Sequence, residues 1–572
     1  MRRLYFLSYF IICFFQLHAQ HLLKHTPKAT RWVDSVYHSL TPAQRIAQLM
    51  VIRESSVQDG KSIIYADSIR AYIKQFNIGG ICLFQGGAAE QAALINEFQH
   101  IAQTPLMTCI DGETGLGMRM DGVEKIPDQM TLGAMQHADK FIYSIGKVMG
   151  EQCRRAGINV DYAPVVDINN NPKNPVIGYR SFGQNKYIVA RYGIATMKGL
   201  QSCDVMACAK HFPGHGDVDV DSHLDLPVIH KSLAGLDTLE LYPFKKIFKA
   251  GIGSVMIAHL SIPAIEPTPH LASSLSPKFV TGLLRNQIGF KGISFTDALG
   301  MKGVAKYFPP GEVSVKSLEA GNDMLCLPTE IGLSIGRIEA AIKDGRLSWP
   351  DLEKRIKKVL YVKYNLGLSH IKNIDTVNIT ADLNKDIPQI RKEVARRSLT
   401  AVALQNNRFI PLSKKEKIAY VALGTDRENT ITNDMKTNLN ATIFHISYEA
   451  SGADAQQLQS ELKKGNFDRI IVGVHDYSKH PAHNFGMNSV SISLIKQLGN
   501  NYPSATVVAF GNPYAIANMA DYKNIISCYE DDAIFQQNAF DFLTGKARAE
   551  GKLPVTVTNA MPYGTGILVK AK

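Results

Sequence analysis

The chain has 572 residues, of which 45% are hydrophobic and 20% are charged, and its formal net charge is +12. This length predicts two or three domains, and the composition is that of a globular protein, which excludes an intrinsically disordered chain. No block of Lys and Arg with interleaved aromatic residues occurs, so we expect no nucleic-acid partner.

The N-terminus has the pattern of a secretory signal peptide. Arg2 and Arg3 precede an apolar run that ends at Ala19, a small residue where a signal peptidase cuts. The run is shorter than the ~20 residues of a membrane-spanning helix, which disfavours the alternative of an uncleaved anchor. We therefore expect residues 1–19 to be removed and the protein to be secreted or periplasmic, with no membrane insertion after cleavage.

Eight short apolar runs, separated by segments of helical character, occur in the first two-thirds of the chain. They cover 49–54, 78–85, 105–111, 159–168, 205–212, 253–260, 293–298 and 323–328. Strands buried on both faces read as continuous apolar runs, and their alternation with helices predicts parallel βαβ units. Eight such units predict a (β/α)₈ barrel of the TIM type over 28–366, with its active site at the carboxyl ends of the strands. The residues at those ends include Asp111, Asp167, Lys210, His211, His259 and Asp297.

A second α/β domain is predicted after the barrel. A polar segment, 367–395, is predicted as a linker, and the domain covers 396–572. Its apolar runs lie at 417–424, 441–447, 469–476 and 505–513, as in a smaller, doubly wound α/β sandwich. No GxGxxG or Walker-type loop is present, so we expect no nucleotide, and no cofactor of any other kind is indicated.

The segment 209–227, AKHFPGHGDVDVDSHLDLP, concentrates three histidines and four aspartates after a predicted strand. A metal site is one interpretation, but the calcium-loop pattern fails, and Pro213 disfavours the helix that would bring histidines four apart onto one face. A solvated acidic loop is the second interpretation. The third is a mobile catalytic loop in which Asp221 raises the basicity of His223 for proton transfer.

A second chemistry-bearing segment is 292–304, GISFTDALGMKGV, in which Asp297 follows a predicted strand. A carboxylate at the end of a barrel strand is suited to be the nucleophile of a retaining glycosidase. The alternative is an aspartate that caps the following helix.

These two segments together resemble glycoside hydrolase family 3, in particular its β-N-acetylglucosaminidase branch. The motifs that carry the resemblance are KHFPGHG, the following DSH, SFTDALGM, IDGETG (110–115) and PVVDINNNPKNPVIGYRSFG (164–183). The resemblance is strong over 40–330, and the C-terminal third is more loosely similar to the second domain of longer, secreted members.

The resemblance implies an enzyme that removes terminal β-linked N-acetylglucosamine (GlcNAc) with retention, acting on peptidoglycan fragments such as muropeptides or on other GlcNAc-terminated glycans. It implies Asp297 as the nucleophile and His223 as the general acid/base, with Asp221 as its partner. The residues that it implies for binding the terminal sugar are Asp111, Arg119, Arg180, Lys210 and His211. Separately from the resemblance, we expect no metal, because no cofactor motif is visible.

Three alternatives remain open at the level of sequence. A phosphorylase of the same fold would use phosphate in place of water, since an uncharged histidine repels phosphate less than a carboxylate does. A family 3 β-glucosidase or β-xylosidase is disfavoured by the DSH loop, because those branches place a glutamate on the second domain. A non-catalytic glycan-binding protein is disfavoured because both candidate catalytic groups are present.

Overall fold

A computed structural model describes residues 22–221, 224–405 and 411–571 of the chain. The predicted signal peptide, residues 1–19, lies outside the described residues. The chain divides into two compact units. The first comprises 22–126, Asp139–Asp167 and Ala190–Asp386, and the second comprises Pro127–Ala138, Ile168–Val189 and 387–571.

The first unit contains an eight-stranded parallel barrel and a separate hairpin. Its ten strands are β1 Met50–Arg53, β2 Ser55–Gln58, β3 Lys61–Ile64, β4 Gly80–Leu83, β5 Met107–Ile110, β6 Val160–Asp161, β7 Met206–Phe212, β8 Ser254–Ile257, β9 Ile293–Thr296 and β10 Leu325–Cys326. The barrel order is β10-β1-β4-β5-β6-β7-β8-β9, and a parallel bridge between Phe295 and Met324 joins the last strand to the first. Strands β2 and β3 pair with each other in an antiparallel hairpin.

Each barrel strand lies within one of the eight predicted apolar runs, which confirms the predicted (β/α)₈ architecture. The strands are short and almost entirely buried, as expected where the barrel interior and the surrounding helices cover both faces.

The helices of this unit are Pro27–Ser39, Pro42–Ala47, Ala66–Phe76, Ala88–Ile101, Asp139–Arg155, Leu233–Thr238, Leu241–Ala250, Lys278–Gln287, Lys302–Ala305, Glu312–Ala320, Ile331–Lys343, Trp349–Asn365 and Ile379–Asn384, with short 3₁₀ turns at Leu116–Met118 and Ser273–Leu275. The helix Lys186–Gln201 begins in the second unit and continues in the first.

The second unit is a six-stranded, doubly wound sheet. Its strands are β11 Thr400–Ala403, β12 Ile418–Leu423, β13 Thr442–Ile446, β14 Arg469–Val474, β15 Thr506–Ala509 and β16 Asn524–Ser527, in the order β11-β16-β15-β14-β12-β13. Four strands coincide with the predicted runs. Strands β11 and β16 were not predicted from the sequence, and β11 pairs antiparallel with β16 at the edge of an otherwise parallel sheet. The predicted fold class, an α/β barrel followed by a smaller α/β sandwich, is confirmed.

Helices pack on both faces of this sheet. Alternate residues of β12 belong to two different apolar cores: Val421 packs with helices Gly452–Gly465 and Ser489–Asn501, and Tyr420 with helices Thr430–Leu439 and Ala533–Leu543. The remaining helices of the unit are Gln129–Gly133, Ile387–Ser398 and Ala482–Phe485, with 3₁₀ turns at Gly178–Arg180 and Pro513–Met519.

The segment 367–395, predicted as a linker, contains the helix Ile379–Asn384 and most of the helix Ile387–Ser398. The boundary between the two compact units falls between these helices, after Asp386. The seven cysteines of the described chain are free thiols, and six of them are buried. Within 22–221, 224–405 and 411–571, no helix is both long enough and apolar enough to cross a membrane.

Candidate active site

The candidate residues of the first unit lie at the carboxyl ends of four barrel strands. Asp111 directly follows β5, Asp167 lies beyond β6, Lys210 and His211 lie in the last part of β7, and Asp297 directly follows β9. Because the strands of the barrel are parallel, these ends meet at one rim, where TIM-barrel enzymes hold their active sites.

Lys210 joins Asp111 to Glu113 through two ion pairs. Its Nζ contacts Oδ1 of Asp111 and lies 2.6 Å from Oε1 of Glu113. The Lys210 and Glu113 side chains are each only 2% exposed, so this ammonium is held between two carboxylates in a buried environment. Buried ion pairs are stable only when the hydrogen bonds of their charged groups are satisfied. This requirement fixes the positions of the Asp111 and Glu113 carboxylates around Lys210.

Arg119 completes the same cluster. Its Nη2 lies 2.5 Å from Oδ2 of Asp111, and its Nε donates to the carbonyl oxygen of Asp111 at 3.0 Å. The guanidinium also lies 4.9 Å from the centre of the Phe84 ring. Asp111 therefore receives one cation on each carboxylate oxygen, and its partly exposed side chain can accept sugar hydroxyls in a defined orientation.

Glu113 was not identified by the sequence analysis. Its only signal was the motif IDGET, in which a second acidic residue follows Asp111 after one glycine. Glu113 contacts Lys210, which lies in β7, about a hundred residues further along the chain. Sequence spacing could therefore not reveal this contact.

Asp167 orients His211. One carboxylate oxygen of Asp167, Oδ2, lies 2.7 Å from Nδ1 of His211, and the backbone N–H groups of His211 and His215 donate to the same carboxylate. Burial alone would raise the pKa of Asp167, but the nearby imidazoles and these hydrogen bonds hold it below its ordinary value. Burial, together with the nearby His211, lowers the pKa of His215 to about 4, so that ring is neutral at physiological pH.

Asp297 is held as a half-buried anion. Its N–H donates to the carbonyl of Ile257 in β8 at 2.9 Å, and its Oδ1 accepts the N–H of Ala298 at 2.7 Å. Burial acts to raise the pKa of Asp297, whereas the His259 and His211 imidazoles and the Ala298 N–H lower it, and the net result lies below the ordinary value. A carboxylate that stays ionised is the form that a nucleophile requires.

His259 positions the backbone that follows Asp297. Its Nδ1 lies 2.6 Å from Oγ of Ser274, and its Nε2 lies 3.0 Å from the carbonyl oxygen of Ala298. Because His259 is fully buried, its ring is a rigid support beside Asp297, and it is one of the groups that lower the pKa of that carboxyl.

The loop that carries Asp221 is described except for Ser222 and His223, so the predicted general acid/base lies outside the described residues. Asp221 is half-buried, and its carbonyl accepts the N–H groups of Leu224 and Asp225. The flanks of the loop are anchored: Lys231 pairs with Asp217 at 2.6 Å. On the other flank, Asp225 accepts hydrogen bonds from Lys306 and from the hydroxyl of Tyr307.

Arg180 lies in the second unit, at the end of the 3₁₀ turn Gly178–Arg180. Its carbonyl accepts a hydrogen bond from Nε2 of Gln129, and its Nη1 donates to the carbonyl of Val176 at 3.3 Å. The structure therefore brings Asp111, Arg119, Lys210, His211 and Asp297 together in the first unit and assigns Arg180 to the second.

The chain and its fold match known proteins. Residues 41–362 match the family model described as the glycosyl hydrolase family 3 N terminal domain. β-Hexosaminidase A of Pseudoalteromonas piscicida is 28% identical over 545 residues, which cover 85% of this chain and 90% of that protein.

Two solved structures extend this comparison. A glycoside hydrolase family 3 β-N-acetylglucosaminidase from Paenibacillus sp. str. FPU-7 has a TM-score of 0.74 and 28% identity, with 91% of this chain and 99% of that chain covered. A β-glucoside phosphorylase has a TM-score of 0.80 and 20% identity, with 94% of this chain and 97% of that chain covered. At this lower identity the second similarity shows the shared fold alone.

Proposed function

Because the chain belongs to glycosyl hydrolase family 3, we propose that it is a retaining exo-β-N-acetylglucosaminidase that acts on GlcNAc-terminated glycans, including muropeptides. The observation that carries the proposal is the ionised Asp297 at the end of β9, on the same rim as the Asp111–Lys210–Arg119 cluster. A nucleophile and a rigid set of groups that can bind sugar hydroxyls are the two parts that such an enzyme requires.

In the first step, a carboxylate oxygen of Asp297 attacks the anomeric carbon and forms a covalent ester as the glycosidic C–O bond breaks. His223 gives its proton to the departing oxygen, with Asp221 as the partner that keeps the imidazole protonated. In the second step, His223 takes a proton from water, the resulting hydroxide attacks the anomeric carbon, and Asp297 is released as a carboxylate. Two inversions leave the β configuration unchanged.

Asp111, Arg119, Lys210 and His211 bind the terminal sugar in this proposal. Asp111 accepts from sugar hydroxyls while Lys210 and Arg119 hold it in place, and Asp167 orients the His211 ring.

Preference for GlcNAc is supported by the names of two relatives, a β-hexosaminidase and a β-N-acetylglucosaminidase, each 28% identical to this chain. The DSH segment at 221–223 supports the same preference, since it supplies an acid/base histidine in place of a glutamate from the second domain.

The test is a comparison of 4-nitrophenyl β-GlcNAc, β-glucoside and β-xyloside as substrates, with and without added phosphate. We expect the β-GlcNAc substrate to have the highest kcat/KM, a β-anomer as the first product, and no sugar phosphate. Asp297→Asn should abolish turnover, while Asp344→Asn, which changes an exposed carboxyl, should retain it. Faster turnover of the glucoside, or formation of a sugar 1-phosphate, would contradict the proposal.

We also propose that the protein is secreted or periplasmic, on the basis of residues 1–19. N-terminal sequencing of the protein from a bacterial expression host should give a mature chain that begins near Gln20. A chain that still begins at Met1 would contradict this part of the proposal.

A further inference from the structure

Asp161 is a buried carboxyl below the sugar-binding cluster, and the mechanism above does not use it. It ends β6, its side chain is fully buried, and its Oδ1 accepts the N–H of Gly112 at 3.0 Å. Its other oxygen, Oδ2, is also buried and has no hydrogen-bond partner in the part of the chain that the structure describes.

Gly112 connects this carboxyl to the cluster. It stands between Asp111 and Glu113, the two carboxylates that share Lys210. A Cβ atom at position 112 would lie 3.1 Å from Oδ1 of Asp161, tighter than most Cβ contacts in proteins, so the glycine lets this backbone lie directly against the Asp161 carboxyl. The position of Asp161 therefore sets the position of both carboxylates.

The neighbours of Asp161 already include two carboxylates that are paired with cations. Lys210 and Arg119 carry two positive charges, and Asp111 and Glu113 carry two negative charges. An ionised Asp161 would add a third carboxylate to a buried site, with one oxygen left without a hydrogen bond. A neutral acid with the same geometry costs far less to bury.

The surroundings of Asp161 agree with this argument. Burial raises the pKa of Asp161 to about 7, and the carboxylates of Asp111 and Glu113 act in the same direction. The N–H of Gly112 and the ammonium of Lys210 act in the opposite direction. The other titratable groups close to this carboxyl are the thiols of Cys208 in β7 and Cys153 in the helix Asp139–Arg155.

We propose that Asp161 is a positioning residue for the terminal sugar: as a neutral carboxylic acid it seats Gly112, and with it Asp111 and Glu113, around Lys210, and loss of its proton weakens sugar binding. The inference rests on the proposed function, because it takes the Asp111–Lys210 cluster to be the sugar subsite. The protonated form predominates below about pH 7, so binding is strongest there and weakens as the pH rises above this value.

The experiment measures the dissociation constant of GlcNAc by calorimetry from pH 5.5 to 8.5. All proteins compared carry His223→Ala, because histidine side chains ordinarily change charge within this pH range. In the protein that keeps Asp161, the Kd should rise above pH 7, and the increase should approach about tenfold per pH unit. With Asp161→Asn, which keeps an oxygen acceptor for Gly112 but cannot ionise, Kd should be independent of pH.

Two further variants control for structure. Asp161→Ala removes the acceptor of the Gly112 N–H and should weaken binding by about tenfold at every pH. Glu54→Gln makes the same chemical change at another fully buried carboxyl, which contacts Gln91 and not the cluster, and it should keep the pH dependence. Infrared spectra at pH 6 should contain a carbonyl band from the neutral acid of Asp161, which the Glu54→Gln protein keeps and the Asp161→Asn protein loses.

The outcomes separate the two proposals. An Asp161→Asn protein that keeps the pH dependence, or keeps the infrared band, overturns the role of Asp161 while the enzyme remains a β-N-acetylglucosaminidase. A protein that binds glucose rather than GlcNAc, with a pH dependence that Asp161→Asn removes, overturns the proposed substrate and leaves the role of Asp161 intact. If the Asp161→Ala protein fails to fold, the infrared spectrum of the Asp161→Asn protein still tests whether Asp161 is a neutral acid.

Discussion

Nδ1 of His211 lies 2.7 Å from Oδ2 of Asp167, and both side chains are buried. The carboxylate also accepts the backbone N–H groups of His211 and His215, so one anion fixes the ring and the backbone that carries it. In an enzyme that binds a sugar through His211, this contact determines the direction in which the ring presents its second nitrogen.

Asp167→Asn should lower kcat/KM on an aryl β-GlcNAc substrate by about 10–100-fold, the usual effect of losing a buried hydrogen bond to a charged group. Since the pKa of Asp167 is lowered, its contribution to stability is present above pH ~4 and is lost only as the pH falls below that value. The kinetic loss should therefore be the same at pH 5 and pH 8. Asp204→Asn, at an exposed position just before β7, is the matched control.

Lys363 should make the stability of the protein depend on pH. It is fully buried, its Nζ donates to Oε1 of Gln48 at 2.7 Å, and burial lowers its pKa to about 7. Between this value and the ~10.5 of an unfolded lysine, the folded protein holds fewer protons than the unfolded chain, so stability rises with pH. Below pH 7 the cost of the buried charge is greatest.

Lys363→Met should accordingly raise Tm at pH 6 and reduce its increase between pH 7 and 9.5. Thermal unfolding over this range measures both effects. Lys354→Met, at an exposed position of the same helix, should leave the pH profile unchanged. Identical profiles for Lys363→Met and the unmodified protein would show that the lysine is not the titrating group.

His223→Ala should slow hydrolysis of a GlcNAc disaccharide by about 10²–10⁴-fold, the usual contribution of general acid catalysis. A dinitrophenyl glycoside should lose much less in its first step, because dinitrophenolate departs with little protonation. Azide should restore turnover and give a β-glycosyl azide, and Asp221→Ala should give a weaker form of the same pattern. Equal losses on good and poor leaving groups, without azide rescue, would instead assign His223 a binding role.

Tyr307 should support the loop that contains this histidine. Its hydroxyl donates to Oδ1 of Asp225 at 2.5 Å, and Lys306 lies 2.8 Å from the same oxygen. Tyr307→Phe removes one hydrogen bond, so kcat on the disaccharide should fall by about fivefold. The dinitrophenyl substrate should be affected less. Tyr72→Phe, a half-buried tyrosine on the helix Ala66–Phe76, should change neither rate.

The sequence alone was sufficient to locate the barrel strands and most of the candidate site. A strand covered on both faces needs apolar residues at every position, so each barrel strand forms a recognisable run. Parallel strands place their carboxyl ends at one rim, so Asp111, Lys210, His211 and Asp297 could be grouped before any contact was known. The strands β11, at the edge of the second sheet, and β16 beside it were not predicted from the sequence.

Only the tertiary structure decided which side chains support those residues. Glu113 meets Lys210, and Asp161 meets Gly112, across gaps of tens of residues that depend on neighbouring strands and their register. The assignment of Arg180 to the second unit likewise depends on how the segment Ile168–Val189 packs. Periodicity and spacing describe a residue and its near neighbours along the chain, whereas burial, charge balance and proton affinity depend on distant segments that folding brings into contact.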